Sequence, residues 1–143
     1  MYRSMIGGPA DWNQYYPSME TIASDLERNS LFVMKNEQGE IIAAISIDKD
    51  DEVESLDCWN KEKVPAAEVS RLCVRSDMQG RGIAKMMMEY VFGMVQNREK
   101  KAVHLLVRTG HSAAFQCYRS LGFQEVGNCH MYEKDFLCME KLF

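Results

Sequence analysis

Residues 68–89, EVSRLCVRSDMQGRGIAKMMME, change character twice within one short stretch. They begin as a strand, with Val69, Leu72 and Val74 apolar, and pass after Val74 into a polar loop, Arg75-Ser76-Asp77. They end as a helix in which Ile83, Met87, Tyr90, Val91 and Met94 recur at helical spacing. Between strand and helix lies Gln79-Gly80-Arg81-Gly82-Ile83-Ala84. A strand, a glycine-bearing turn and a helix N-terminus together make an anion site. The first helical N–H groups have no partner in the helix, and its dipole favours negative charge there. Gly80 and Gly82 let the backbone approach a phosphate closely, while Arg81 and Lys85 add positive charge. A pyrophosphate is the expected ligand.

Other glycine loops fit less well. A P-loop needs four residues between its glycine and a Gly-Lys-Ser/Thr ending, and a dinucleotide fingerprint needs three spaced glycines followed at a distance by an acid. Neither is present. The plainest reading is an ordinary strand-to-helix turn whose glycines only tighten the bend.

Composition narrows the class. At 143 residues the chain is read as one domain, 1–143, large enough to bury a core. Its 46% hydrophobic and 27% charged residues match an ordinary globular protein. No apolar run approaches the roughly 20 residues of a membrane span, and the N-terminus lacks a basic-then-apolar leader. The expected location is therefore the cytoplasm, without membrane attachment. A net charge of −4 argues against a general nucleic-acid binder, which needs a basic surface. The five cysteines, Cys58, Cys73, Cys117, Cys129 and Cys138, form no CxxC pair. They read as reduced, mostly buried thiols, and no metal is expected.

Along the chain, Gly7-Gly8-Pro9 interrupts a start with little pattern, and Trp12, Tyr15 and Tyr16 follow. Ser18 caps an expected helix carrying Met19, Ile22 and Leu26 on one face. Residues 31–47 read as a hairpin, LFVMK and IIAAISI joined by Asn36-Glu37-Gln38-Gly39, with the second run apolar on both faces like a central strand. Residues 48–62 turn acidic. A solvated loop explains them most simply; the functional reading is a mouth that draws in a cationic amine. After the central helix, residues 102–107, AVHLLV, form a strand. A helix follows with Ala114, Phe115, Tyr118 and Leu121 on one face and Gly122 ending it. Residues 123–127 and 136–143 supply two closing strands around a loop containing His130 and Tyr132.

The resulting order is a mixed α/β arrangement with a right-handed parallel strand-helix-strand crossover at its centre. Here two motifs combine. Gln79-x-x-Gly82-x-Ala84 resembles the pyrophosphate loop of the GNAT superfamily of N-acetyltransferases. Residues 111–123 are similar to that family's Asn-x-x-Ala-x-x-x-Tyr-x-x-x-Gly-Phe pattern at Ala114, Tyr118, Gly122 and Phe123. The resemblance extends from about residue 31 to the C-terminus. It implies the GNAT fold, a mixed and mostly antiparallel sheet with one splayed parallel pair, flanked by helices. It also implies transfer of an acetyl group from acetyl-CoA to a primary amine of a small molecule or peptide, by direct attack in a ternary complex.

The resemblance assigns roles residue by residue. The backbone of Leu72, Cys73 and Val74 would bond the pantetheine arm and polarise the acetyl carbonyl. The N–H groups from Gln79 through Gly80, Arg81, Gly82 and Ile83 to Ala84 would hold the pyrophosphate. Tyr118 is the general acid for the leaving thiolate; spacing alone also fits a core tyrosine. An alkyl ammonium near pKa ~10 must lose a proton before it attacks. Glu68 resembles the strand glutamate that serves as base in the histone acetyltransferase branch, although a surface glutamate at a strand start fits equally. His104 is a second candidate by chemistry, in a place that also suits a packed, hydrogen-bonded histidine.

Two departures stand out. His111 replaces the asparagine that usually bonds the pantetheine arm, and an imidazole also donates one hydrogen bond. The family's first strand and part of its first helix find little room before residue 11. Either the chain start is truncated or the protein does without its first strand; the strand at 31–35 then becomes a sheet edge, and a homodimer through it, or poor solubility, is expected. Two functions remain open: an active transferase, and an acyl-CoA-binding sensor or interaction module without catalysis.

Overall fold

The computed structural model describes residues 31–48 and 50–143. The expected helix of Ser18, Met19, Ile22 and Leu26 and the aromatic residues Trp12, Tyr15 and Tyr16 lie outside them. β1 (Leu31–Lys35) and β2 (Ile41–Asp48) form the expected hairpin. Its turn is fixed by Asn36, whose Oδ1 accepts from the N–H groups of Gln38 and Glu40, and by Gly39 at φ +80°. A short helix, α1 (Asp51–Glu54), follows, then β3 (Ala66–Val74), a 3-10 turn (Ser76–Met78) and α2 (Ile83–Asn97). β4 (Ala102–Arg108), α3 (Ser112–Ser120), β5 (Gln124–Met131) and β6 (Lys134–Leu142) complete the order.

The six strands lie in the order β1-β2-β3-β4-β6-β5. Only β3 and β4 run parallel; the other neighbours are antiparallel. This is the mixed, mostly antiparallel sheet implied by the sequence, and β1 is its outer strand among the described residues. Alternation along each strand splits the side chains between two faces. Val69, Val103, Leu105 and Met139 join Ile83, Met87, Met88, Val91 and Tyr118 in the larger core, under α2 and α3. Leu106 and Cys138, one step away on β4 and β6, face the other side and pack with Val53 and Trp59.

Several local expectations change. Residues 48–62 are not all loop, because Asp50 caps α1 by accepting from the Glu52 N–H, and Trp59 from this acidic stretch is buried. Tyr90 leaves the buried face of α2 at 62% exposure, and Val95 takes its place. The apolar residues of α2 cover a wider arc than one stripe, so spacing alone could not rank them. The closing strands also reach further than expected, to a two-residue turn at Tyr132-Glu133 with φ +54° and +61°. Two left-handed central residues give a tight hairpin, and a Tyr-Glu pair lacks the usual Asn-Gly signature of that turn. Gly122 does end α3, at φ +94°: its N–H donates to Arg119 and the Phe123 N–H to Tyr118, the paired bonds of a Schellman motif.

Candidate functional site

The central feature is a gap between β3 and β4. Their pairing covers Ala66↔Ala102, Ala67↔Val103 and Glu68↔His104 and goes no further among the described residues. Beyond Glu68, β3 bulges. The register with β2 steps from Ser46↔Ser70 to Ala44↔Cys73, which places one extra residue on β3, where Arg71 takes φ +52°. A bulge bends its strand and raises the local twist, so β3 leaves β4 and stays with β2.

The bulge also decides where the β3 backbone points. The Arg75 N–H donates to the Ile42 carbonyl, and Cys73 lies opposite Ala44 in the same register. Inward and outward bonding alternate along an antiparallel strand. The N–H and C=O groups of Leu72 and Val74 therefore face away from β2, into the gap. All three side chains, of Leu72, Cys73 and Val74, are buried, and burial pushes the Cys73 thiol up to about 12.

At the open end of the gap β3 leads through the 3-10 turn to α2. Arg75 grips Asp77 with two hydrogen bonds, at 2.6 and 3.0 Å, which fixes the turn's entry and holds the Asp77 carboxyl below its usual range. Gly80 and Gly82 sit at φ +77° and +75°, and a side chain at either would meet open space rather than protein. They are needed for their left-handed backbone, which costs other residues about 1–2 kcal/mol each. Gly82 is the N-cap and supplies no side-chain cap. The N-terminal N–H groups of a helix of fifteen residues thus open on the turn.

Across the gap stands α3. Its N-cap is His111, whose Nδ1 accepts from the Ala114 N–H at 3.4 Å. That bond assigns the ring proton to Nε2, which is left to donate elsewhere. Tyr118, about two turns along, is 5% exposed and packs edge-on against Phe123 at 5.7 Å.

The closed end of the gap is polar. Glu68 is the third residue of β3, 9% exposed, and so not a surface glutamate. Burial first, and then the Asp50 carboxylate, push its carboxyl up from 4.5 to about 8; Glu54 adds to this, and Arg71 opposes it. The Asp50 N–H donates to Glu68, and the Asp50 carboxylate accepts from Tyr132 Oη at 2.8 Å. Register sets Glu68, His104 and Glu140 in one row across β3, β4 and β6. His104 Nε2 lies 2.8 Å from Glu140 Oε2, and Glu140 also accepts from the Asn60 N–H at 3.0 Å. Trp59 stacks on the imidazole, with centroids 3.9 Å apart and planes 7° apart, and donates its own Nε1–H to the Val53 carbonyl.

Sequence reasoning gave no role to Trp59 or Glu140; it held Asp50 and Glu54 only within the acidic stretch read as a mouth for an amine, and Tyr132 only as part of a closing loop. Glu140 alone carried a signal, as a single acid in the run Leu137-Cys138-Met139-Glu140. Among the described residues no group of three or more His, Cys, Asp or Glu could hold a metal, and no helix is long and apolar enough to cross a membrane.

The acetyltransferase (GNAT) family pattern matches residues 4–123. This chain belongs to that family. The match starts well before β1, so residues 4–30, which the motif resemblance left uncovered, fall within it. Solved GNAT structures share the fold. A chain of the NatC complex bound to Gag peptide and CoA aligns over 94% of this chain and 84% of its own, with 21% identity and a TM-score of 0.72. The ribosomal-protein-alanine N-acetyltransferase of Brucella melitensis aligns over 92% and 83%, with 20% identity and a TM-score of 0.69. A GNAT family acetyltransferase from Elizabethkingia anophelis with acetyl-CoA bound aligns over 94% and 90%, with 17% identity and a TM-score of 0.67. Comparison with curated protein sequences returns no match. Membership in the GNAT family implies acyl transfer from an acyl-CoA.

Proposed function

We propose that this GNAT protein is an N-acetyltransferase that passes the acetyl group of acetyl-CoA directly to a primary amine of a small molecule or peptide, within a ternary complex. The observation that carries this reading is the gap itself. It has outward-facing backbone at Leu72 and Val74 on one wall, an open helix N-terminus at one end and a buried carboxyl, Glu68, at the other. The helix N-terminus and the Gln79–Ala84 turn suit a pyrophosphate, by charge and by donor placement. The backbone at Leu72 to Val74 suits an extended amide-bearing arm, and an N–H there polarises the acetyl carbonyl as charge develops on it. His111 contributes Nε2–H to the same arm.

Glu68 takes the proton. A carboxyl near pKa 8 is a stronger base than a free carboxylate, and its ionised fraction, the one that takes the proton, grows as pH rises toward and through 8. The neutral amine attacks the thioester carbon, the C–S bond breaks, and Tyr118 gives its proton to the departing sulfur. Asp50 and Glu54, both close enough to raise the Glu68 carboxyl, give the acceptor end negative charge. This supports the earlier reading of the acidic stretch as a mouth for a cation, and favours an acceptor that arrives as an ammonium.

Calorimetric titration with acetyl-CoA, followed by a thiol-release screen over amines, polyamines, amino acids and peptides, tests the proposal. Binding and amine-dependent release that collapses in Tyr118→Phe are expected. Binding without release on any acceptor would replace the transferase with an acyl-CoA-binding sensor.

A further inference from the structure

Residues 50–65 cross one face of the sheet without joining it. Their helix, α1, is four residues long, and a helix that short has no stability of its own, so contacts with the sheet must place it. Trp59 makes the closest of these contacts. Its ring lies flat on His104 of β4, with centroids 3.9 Å and planes 7° apart, and its Nε1–H reaches back to the Val53 carbonyl at 2.7 Å, which ties α1 to the stack. His104 is held in turn, because its Nε2 lies 2.8 Å from Glu140 Oε2, and Glu140 accepts from the N–H of Asn60, the residue after Trp59. Indole, imidazole and carboxylate thus close a ring of contacts between β4, β6 and the crossing segment. β5 is shaped for the same crossing. Gly127, opposite Cys138, lacks a side chain where a Cβ would stand 2.9 Å from Cys58 Cβ. Its φ is not left-handed, so this glycine serves the approach of Cys58 rather than the backbone.

The other end of the segment lies on Glu68. The Asp50 N–H donates to Glu68, the Asp50 carboxylate accepts from Tyr132 Oη, and the Asp50 and Glu54 carboxylates both oppose the ionisation of Glu68. Asp50 and Glu54 are carried by the segment, not by the sheet. We propose that Trp59, stacked on His104, is the positioning residue of the acceptor end: it holds residues 50–60 against the sheet and so sets how deeply Glu68 is buried and which carboxylates face it. Its consequence for catalysis rests on the transferase reading; its place in the fold does not. With the segment held, Glu68 stays out of water beside Asp50 and Glu54, and its carboxyl stays high. With the segment released, water returns and the two carboxylates withdraw, while Arg71, on β3 itself, keeps its opposite charge in place. Each change lowers the carboxyl. Around Glu68 stand also Tyr132 from the β5–β6 turn and its register partners, Asp48 on β2 and His104 on β4.

The test uses the whole chain with carbon-labelled glutamate and follows the Glu68 carboxyl by NMR across pH, assigned by its absence in Glu68→Gln. Trp59→Leu loses both the stack and the bond to Val53, and its Glu68 titration is expected to fall by about one pH unit or more, tenfold in proton affinity. Trp59→Phe keeps a ring on His104 and loses only the bond, so a smaller fall, of about half a unit, is expected. Gly127→Ala leaves Trp59 itself unchanged and pushes Cys58 away from β5, and a fall in the same direction is expected. A tryptophan that only stabilised the fold would lower the melting temperature and leave the titration of the folded protein where it was. An unmoved Glu68 titration in folded Trp59→Leu therefore overturns the positioning role. Should that variant not fold, an unmoved titration in both Trp59→Phe and Gly127→Ala overturns it. In the thiol-release assay Trp59→Leu is expected to raise the KM for the acceptor and not that for acetyl-CoA, and to move the acid limb of kcat/KM to lower pH. An equal rise in both KM values also overturns the role. Absence of amine-dependent release in the wild type overturns the transferase reading instead, and the NMR titration still decides what Trp59 does.

Discussion

The two ends of β3 do different work with different materials. Its C-terminal end, with the turn to α2, offers main-chain groups: the Leu72 and Val74 backbone, the glycine turn and an uncapped helix N-terminus. Its N-terminal end offers side chains: Glu68 in a row with His104 and Glu140, roofed by Asp50, Glu54, Trp59 and Tyr132 from the α1 segment and the β5–β6 turn. Backbone built into one continuous stretch suits the proposed acyl-CoA site, which needs main-chain donors in fixed places. Side chains gathered from five segments can be changed one at a time, which suits an acceptor that differs from enzyme to enzyme.

The comparison breaks most sharply at the chemistry. Tyr118→Phe removes the phenolic proton that the proposed mechanism gives to sulfur, and a fall in kcat of roughly 100-fold or more with acetyl-CoA affinity intact is expected in steady-state assays. An equal loss of affinity would make Tyr118 part of the donor wall and nothing more.

Glu68→Gln is the matching change at the acceptor end, with an expected kcat loss of about 100-fold. It also has a signature in stability. A carboxyl raised from 4.5 to about 8 binds more protons in the native state than in the unfolded one across that interval. Stability therefore falls as pH rises from about 4.5 to 8, and is highest below it. Thermal unfolding followed over pH should show that downward slope in the wild type and a flatter line in Glu68→Gln. A slope that survives the substitution would assign it to other groups.

Gly82→Val tests the backbone end. The position has room for the side chain but a left-handed φ that a β-branched residue resists. A weakening of acetyl-CoA binding by about tenfold, equal to the ~1–2 kcal/mol conformational cost, is expected from calorimetry. Acceptor selectivity among amines should stay as it was. A change in selectivity would join the two ends that the structure keeps apart.

The smallest effect concerns the cap. His111→Asn restores the residue type of the family pattern and keeps an N-cap acceptor, so a change in melting temperature near zero and at most a few-fold change in acetyl-CoA affinity are expected. A large drop in affinity would mean that the imidazole Nε2 is the specific donor in this chain.

What was legible follows the same division. The strand, turn and helix of residues 68–97 are contiguous, and the constraints there are local: glycines where φ is positive, apolar residues where the helix is buried. The Tyr118-to-Phe123 segment is equally local, since its Schellman turn needs Gly122 and closes on Tyr118 itself. The element order along the chain, the parallel crossover at its centre and the hairpin at Asn36 to Gly39 followed from apolar runs and turn residues. Exposure of Tyr90 and the length of β5 and β6 did not, because helix rotation and turn register depend on what lies opposite.

The acceptor end was illegible for a stronger reason. Glu68 was visible only as one acid at a strand start, and nothing nearby in sequence shows that it is buried or that Asp50 and Glu54 lie close enough to change its charge. His104 and Glu140 are separated by 36 positions, and Trp59 reaches the imidazole from a third segment. The sequence by itself determined the family, the glycine turn ahead of α2 and the end of α3 at Gly122, since each depends on backbone conformation encoded within a few residues. Only the tertiary structure decided which carboxyl is buried, which histidine lies between carboxylates and which acids share its field, because desolvation and charge act through space and leave no period in the chain.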